Sequence, residues 1–236
     1  MTHISTPTLF LPGTQCDERV WMPLWRELDL AQRSYVPLQW AESLEHMLAL
    51  TQDRIDTYPE KVNLVGFSMG GYIASLAALQ NPSRVASLTL IGYHPKGLDQ
   101  GELQKRKLLL ATLNKQKKAP LTQARLRAYL TDSELTQTEI VEVLQQMDQD
   151  LGTAVLKAHI TATTPRQDLS LPLSQCSFPV HYICAQHDQI ANANDIERYA
   201  KTNKNSDYMC LKDTAHMMLL TQPQHIAKHL QPCLLG

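Results

Sequence analysis

The 236-residue chain has no apolar run near the roughly 20 residues that a membrane-spanning helix requires, so no membrane association is expected. It also has almost no net charge: 22 Lys and Arg stand against 23 Asp and Glu, a balance of −1. Nothing global draws it to nucleic acid or to an anionic membrane surface. Five cysteines (Cys16, Cys176, Cys184, Cys210 and Cys233) are odd in number, widely spaced and without a C-x-x-C pair. That pattern fits free thiols in a reducing compartment better than a disulfide framework. The first residues, Met1 to Ser5, lack the basic stretch of a secretory leader, and repeats and low-complexity segments are missing as well. A cytoplasmic protein is the expectation. What the chain does contain is 43% apolar and 19% charged residues, ordinary for a protein that buries a sizeable core. Its length suits one domain, or one core carrying an insertion.

The first third alternates strands and helices. Thr8 to Leu11 is a short apolar run stopped by Pro12-Gly13, which predicts a buried strand and a sharp turn. A helix is expected over Val20 to Leu30, a strand over Ser34 to Leu38 and a helix over Leu44 to Tyr58. Val62 to Val65 and Val85 to Ile91 read as buried strands flanking a helix rich in small residues, Gly70 to Leu79. From about His94 to Thr164 the strand signal gives way to helical patterns at Gly101 to Lys115, Leu121 to Leu130, Glu134 to Gln149 and Leu151 to Ile160. Strands return at Val180 to Cys184 and Asp207 to Leu211, with helices at Asp195 to Thr202 and Pro223 to Leu230. This order predicts an α/β fold: a mostly parallel sheet of about six strands with helices on both faces. Residues 1–94 and 165–236 form the expected core, and residues 95–164 a helical cap inserted in it.

One segment carries chemistry. Val65-Gly66-Phe67-Ser68-Met69-Gly70-Gly71 is Gly-x-Ser-x-Gly between a predicted strand and a predicted helix, the context that this pattern requires. The tight turn needs small residues two before and two after the serine, and the helix N-terminus behind it favours developing negative charge. A dinucleotide fingerprint would need glycine at Ser68, and a phosphate-binding P-loop would need Gly-Lys-Ser/Thr, so neither cofactor is expected. A serine nucleophile needs a base, and the base an orienting acid. Of the nine histidines, His216 lies just past the last strand, at the edge of the sheet. His225 and His229, four apart on a helix, have metal-ligand spacing but no third ligand, and no metal is expected. Asp188 follows a buried strand and is the candidate acid, with Asp213 as its rival. Ser68, Asp188 and His216 fall in the chain order of one fold class.

On Leu11-Pro12-Gly13-Thr14, Gly66 to Gly71, Asn81 to Val85, His187-Asp188 and Ala215-His216 with Gln222-Pro223, the chain resembles the α/β-hydrolase family over nearly its whole length. The resemblance implies Ser68 as nucleophile, His216 as general base and Asp188 as its orienting acid. It also implies an oxyanion hole made by the backbone N–H groups of Thr14 and Met69. The chain departs from the family in three places. Pro12-Gly13 stands where His-Gly is common, Val36 to Trp40 leads straight into a helix without the usual Pro-Gly-x-Gly-x-Ser loop, and the N-terminal hairpin is missing.

The family's fold does not choose a reaction. Serine at the elbow argues against a haloalkane dehalogenase. Tyr72 stands where menaquinone-pathway lyases of the family carry a carboxylate-binding arginine. The chain looks more like small carboxylesterases and pimeloyl-carrier-protein methyl ester esterases, and the expected substrate is a small ester or thioester. The alternatives are a C–C hydrolase or lyase with the same three residues, and a ligand receptor with little catalysis. Tyr93, His94 and Met217 are the expected pocket residues, and Met69, Met217 and Met218 suggest an apolar, adaptable pocket. Residues 98–130 carry a local balance of +6 (Lys105, Arg106, Lys107, Lys115, Lys117, Lys118, Arg125 and Arg127 against Asp99 and Glu102). Residues 131–150 carry −6. The basic stretch could receive an acyl-carrier protein, or the two stretches could be neighbouring solvated faces.

Overall fold

The computed structural model describes residues 3–115 and 121–235. Strands β1 (His3–Ile4), β2 (Thr8–Leu11), β3 (Asp29–Leu30), β4 (Arg33–Tyr35), β5 (Val62–Phe67), β6 (Val85–Ile91), β7 (Val180–Ala185) and β8 (Ser206–Leu211) follow in chain order. Six of them form one parallel sheet in the order β4-β2-β5-β6-β7-β8, and β1 pairs with β3 in a separate parallel ribbon. The helices are α1 (Met22–Trp25), α2 (Leu44–Asp56), α3 (Met69–Gln80), α4 (Gln100–Lys115), α5 (Gln123–Tyr129), α6 (Thr138–Ala162), α7 (Ser170–Ser174), α8 (Ala193–Ala200), α9 (Met218–Thr221) and α10 (Pro223–Leu234).

Parallel strands need crossover connections, and helices supply them on both faces here, so the central strands are apolar throughout rather than alternating. All six residues of β5 are buried. Successive side chains still point to opposite faces. Leu9, Leu11, Leu64, Leu88, Leu90, Tyr182 and Cys184 pack with α2, α3 and α8 on one side. Phe10, Val65, Phe67, Ile91, Ile183 and Ala185 pack with α1, α9 and α10 on the other. The register aligns Leu11 with Gly66, Gly66 with Leu90, Ile91 with Ile183 and Ala185 with Leu211. The C-terminal ends of five strands therefore meet along one edge.

The expected strands and helices are present, with one correction. Val20 to Leu30 is not one helix: a 3-10 turn at Glu18–Val20 is followed by the four residues of α1, and the chain then extends into β3. Asp29 and Leu30 pair with His3 and Ile4 instead of continuing the helix, a tertiary capture of a segment whose spacing alone reads as helical. The break expected near residue 150 falls at Gly152, whose positive φ of 67° kinks α6. Between β6 and β7 the described residues are helical or irregular, and α4 packs on α6 through Leu109, Leu110, Leu113, Leu156 and Ile160. All five cysteines are free; Cys16, Cys184 and Cys233 are buried and the other two partly buried. Among the described residues no helix is long and apolar enough to cross a membrane.

Candidate active site

Ser68 sits between the end of β5 and the start of α3 with φ 51° and ψ −114°, a conformation that costs a non-glycine residue about 1–3 kcal/mol. Its neighbours hold it there. A Cβ on Gly66 would lie 2.5 Å from the Gly70 carbonyl oxygen, and one on Gly70 would lie 2.1 Å from that of Leu11. Both contacts are with backbone, so any side chain at either position would force the elbow apart. Ser68 N–H donates to the Ile91 carbonyl at 2.8 Å, tying the turn to the neighbouring strand.

The three residues singled out in the sequence come together. His216 Nε2 lies 3.1 Å from Ser68 Oγ, and His216 Nδ1 lies 2.7 Å from Asp188 Oδ2. The His216 side chain is 4% exposed and that of Asp188 is fully buried, so the pair is shielded from water. Asp188 Oδ1 accepts the backbone N–H groups of Ile190 (2.7 Å) and Ala191 (2.9 Å), which fixes the carboxylate with its other oxygen on the imidazole. With Nδ1–H donated to Asp188, Nε2 is left to accept the Ser68 hydroxyl proton. Asp213 does not compete. Its side chain is 95% exposed and lies 3.9 Å from the His187 ring.

The loop after β2 stands beside the serine: a Cβ on Gly13 would lie 3.4 Å from Ser68 Cβ. Met69 N–H is the first of α3 and has no acceptor within the helix. Thr14 lines the same cavity as Ser68. Gln15, at φ 53°, is clamped from the helical segment. Its N–H donates to His159 Nδ1 (3.0 Å), its Oε1 accepts from Arg125 Nη2 (2.9 Å), and its Nε2 donates to the Gly152 carbonyl (3.2 Å). His159 closes the brace by donating its Nε2–H to the Leu38 carbonyl at 3.1 Å. Burial lowers the His159 pKa from 6.5 to about 4, so the ring is neutral and supplies one acceptor and one donor. A side chain from α6 thus supports a loop that lacks the family's usual histidine at position 12. The His216 loop is held in the same way, by Ala215 N–H on buried Glu134 and Met217 N–H on the Tyr129 carbonyl. Sequence inspection singled out neither His159 nor Glu134. Both act across more than 80 residues of chain, and nothing local marks them.

Ser68 opens on a cavity of about 190 Å³ whose wall includes Leu109, Leu121, Leu144, Met147, Leu156 and Met217. A second lobe of about 60 Å³, also bordered by Ser68, contains Tyr93 and His94. All three expected pocket residues therefore border Ser68's cavities. Of the basic stretch, Lys105 and Lys107 are exposed on α4, Arg106 turns inward to Thr163 and Thr164, and Lys117 and Lys118 lie outside the described residues. His229 does find neighbours: its Nε2 is 3.5 Å from Asp207, which also pairs with His181 at 2.7 Å. His181, Asp207 and Cys233 place potential ligand atoms within 4.8 Å of one another. They lie near the start of β7 and β8, at the opposite end of the sheet from Ser68.

Residues 57–223 match the family described as the alpha/beta hydrolase fold. The chain belongs to that family. It is 26% identical over 198 residues to a 2-succinyl-6-hydroxy-2,4-cyclohexadiene-1-carboxylate synthase of Salmonella paratyphi B, covering 76% of this chain and 77% of the relative. It is 27% identical over 180 residues to the monoacylglycerol lipase ABHD6 of Bos taurus, covering 71% and 53%. Among solved structures, a thermophilic esterase from Thermogutta terrifontis with malate bound superimposes with a TM-score of 0.84 at 19% identity, over 98% of this chain and 90% of that one. The family match establishes the family, and the structural likeness agrees with its fold.

Proposed function

We propose that the protein is a serine hydrolase of small carboxylic esters or thioesters. The observation that carries this reading is the hydrogen-bonded series Ser68–His216–Asp188, buried at its acid end and open to a largely apolar cavity at its serine. As the Ser68 oxygen attacks the carbonyl carbon, His216 Nε2 takes the hydroxyl proton and Asp188 stabilises the imidazolium. The N–H groups of Met69 and Thr14 face the developing oxyanion. Collapse breaks the bond to the leaving oxygen or sulfur, which receives the proton from His216. A water molecule, deprotonated by the same imidazole, then releases the acid and frees Ser68. The cavity and the helical wall over it favour acyl chains of roughly two to eight carbons over long lipids or peptides.

Replacing Ser68 by Ala should lower turnover of a short-chain p-nitrophenyl ester by several orders of magnitude, and a fluorophosphonate probe should label the parent protein and not the variant. A folded variant that keeps most of its activity would show that Ser68 is not the nucleophile. The synthase relatives favour a second reading, a lyase that uses the same three residues without an acyl-enzyme. Detecting, or failing to detect, an acyl adduct by mass spectrometry after an ester pulse separates the two.

A further inference from the structure

The lobe of about 60 Å³ beside Ser68 is more polar than the larger cavity next to it, and Arg106 and Arg166 stand in the wall of both. Three polar atoms at its wall are buried without a hydrogen-bond partner: Tyr93 hydroxyl oxygen, His94 Nδ1 and Arg166 Nε. Buried polar atoms in folded proteins are nearly always satisfied, so several at one cavity point to a missing partner. The charges point the same way. Arg106, Arg166 and Lys96 line the lobe against a single carboxylate, Glu102, whose Oε2 accepts the backbone N–H of Asp99. Among the described residues no carboxylate approaches any of these three cations within 4.0 Å. Arg106 is anchored through Nη1 alone, to the Thr163 carbonyl and the hydroxyls of Thr163 and Thr164. Arg166 lies over the Tyr72 ring with its guanidinium carbon 5.4 Å from the centroid, a position that orients the group without neutralising it. Burial lowers the pKa of both arginines, the mark of cations held without a counterion.

We propose that this lobe is an anion subsite that receives a free carboxylate of the substrate on Arg166, Arg106 and the Tyr93 hydroxyl. The substrate is then a carboxylate-bearing ester or thioester, such as a half-ester of a short dicarboxylic acid, whose reacting carbonyl lies at Ser68 between the two lobes. This inference rests on the hydrolase reading for the position of the scissile bond, while the anion site stands on the lobe's own residues. Arginine suits the role because its planar fork can meet both oxygens of a carboxylate at once.

The test compares monoethyl adipate with ethyl hexanoate, equal in chain length and different in the terminal carboxylate. The parent protein should show a kcat/KM at least tenfold higher for monoethyl adipate. Arg166→Gln should raise KM for that ester at least tenfold and collapse the preference, and Arg106→Gln, on a different element, should act in the same direction. Equal or better turnover of ethyl hexanoate by the parent protein overturns the proposal, as does a preference that survives both substitutions. Binding is read apart from chemistry by calorimetric titration of monoethyl adipate into Ser68→Ala and into Ser68→Ala/Arg166→Gln. Saturable binding to the first and at least tenfold weaker binding to the second support the subsite; no difference between them removes it. If the parent protein resists the fluorophosphonate probe yet this binding difference persists, the hydrolase reading fails and the anion subsite stands.

Discussion

Replacing Asp188 by Asn tests the Ser68–His216–Asp188 arrangement at its buried end. In the structure Oδ1 accepts two backbone N–H groups, from Ile190 and Ala191, while Oδ2 faces His216 Nδ1 at 2.7 Å. An asparagine amide must keep its oxygen on the two N–H donors, because the flipped amide would set its NH2 against both. The NH2 then points at His216, turns Nδ1 into an acceptor and drives the ring proton to Nε2. In that tautomer Nε2 cannot take the Ser68 proton, although every distance is nearly preserved. The corresponding acid-to-amide change in a serine protease costs about 10⁴ in kcat. At about 1.36 kcal/mol per tenfold, a loss of 10³ to 10⁴ here means roughly 4–5.5 kcal/mol of lost transition-state stabilisation. The assay is kcat for a short-chain p-nitrophenyl ester, run beside a melting curve that confirms the fold, with Asp213→Asn as the exposed control. A folded Asp188→Asn protein within tenfold of the parent, or a larger loss in Asp213→Asn, would refute the argument.

Gly70→Ala should destabilise the protein by more than about 3 kcal/mol, since the new Cβ would lie 2.1 Å from the Leu11 carbonyl oxygen; urea titration measures it, and a cost below about 1 kcal/mol would contradict the packing of the elbow on β2. His159, buried neutral with a pKa lowered to about 4, gives a pH dependence of stability with a definite sign. Between about pH 6.5 and 4 the unfolded chain binds a proton that the folded ring refuses, so stability falls as the pH falls, by about 3 kcal/mol at the lower end. His159→Gln should remove that part of the slope while lowering the plateau at neutral pH, and parallel stability curves for the two proteins would show that the ring does not resist protonation.

How much of this was legible along the chain depended on the range of the forces involved. The elbow is a local steric problem: a serine at positive φ between a strand and a helix needs Gly66 and Gly70, and that need is written in five consecutive residues. The strands of a doubly covered parallel sheet are short apolar runs, and their spacing between helical patterns conveyed the α/β class. The position of His216 and Asp188 after the last two strands followed from chain order. Tertiary structure decided the rest. Which carboxylate meets His216 depends on how the loops after β7 and β8 close, and only Asp188 is turned inward, by two N–H donors two and three residues ahead of it. On the helical segment, charge pattern alone read Arg106 as one of a solvated basic cluster, whereas packing of α4 on α6 rotates it towards Thr163 and leaves Lys105 and Lys107 outside. His159 and Arg166 have no local signature either. One braces the loop at Gln15 and the other reaches Tyr72, 94 residues earlier in the chain, because α6 and the segment after it fold back over the sheet edge. Backbone sterics and hydrophobic periodicity act over a few residues and survive in the sequence as pattern. The direction of a polar side chain on a half-buried helix is set by what the helix is packed against, and that exists only once the chain has closed on itself.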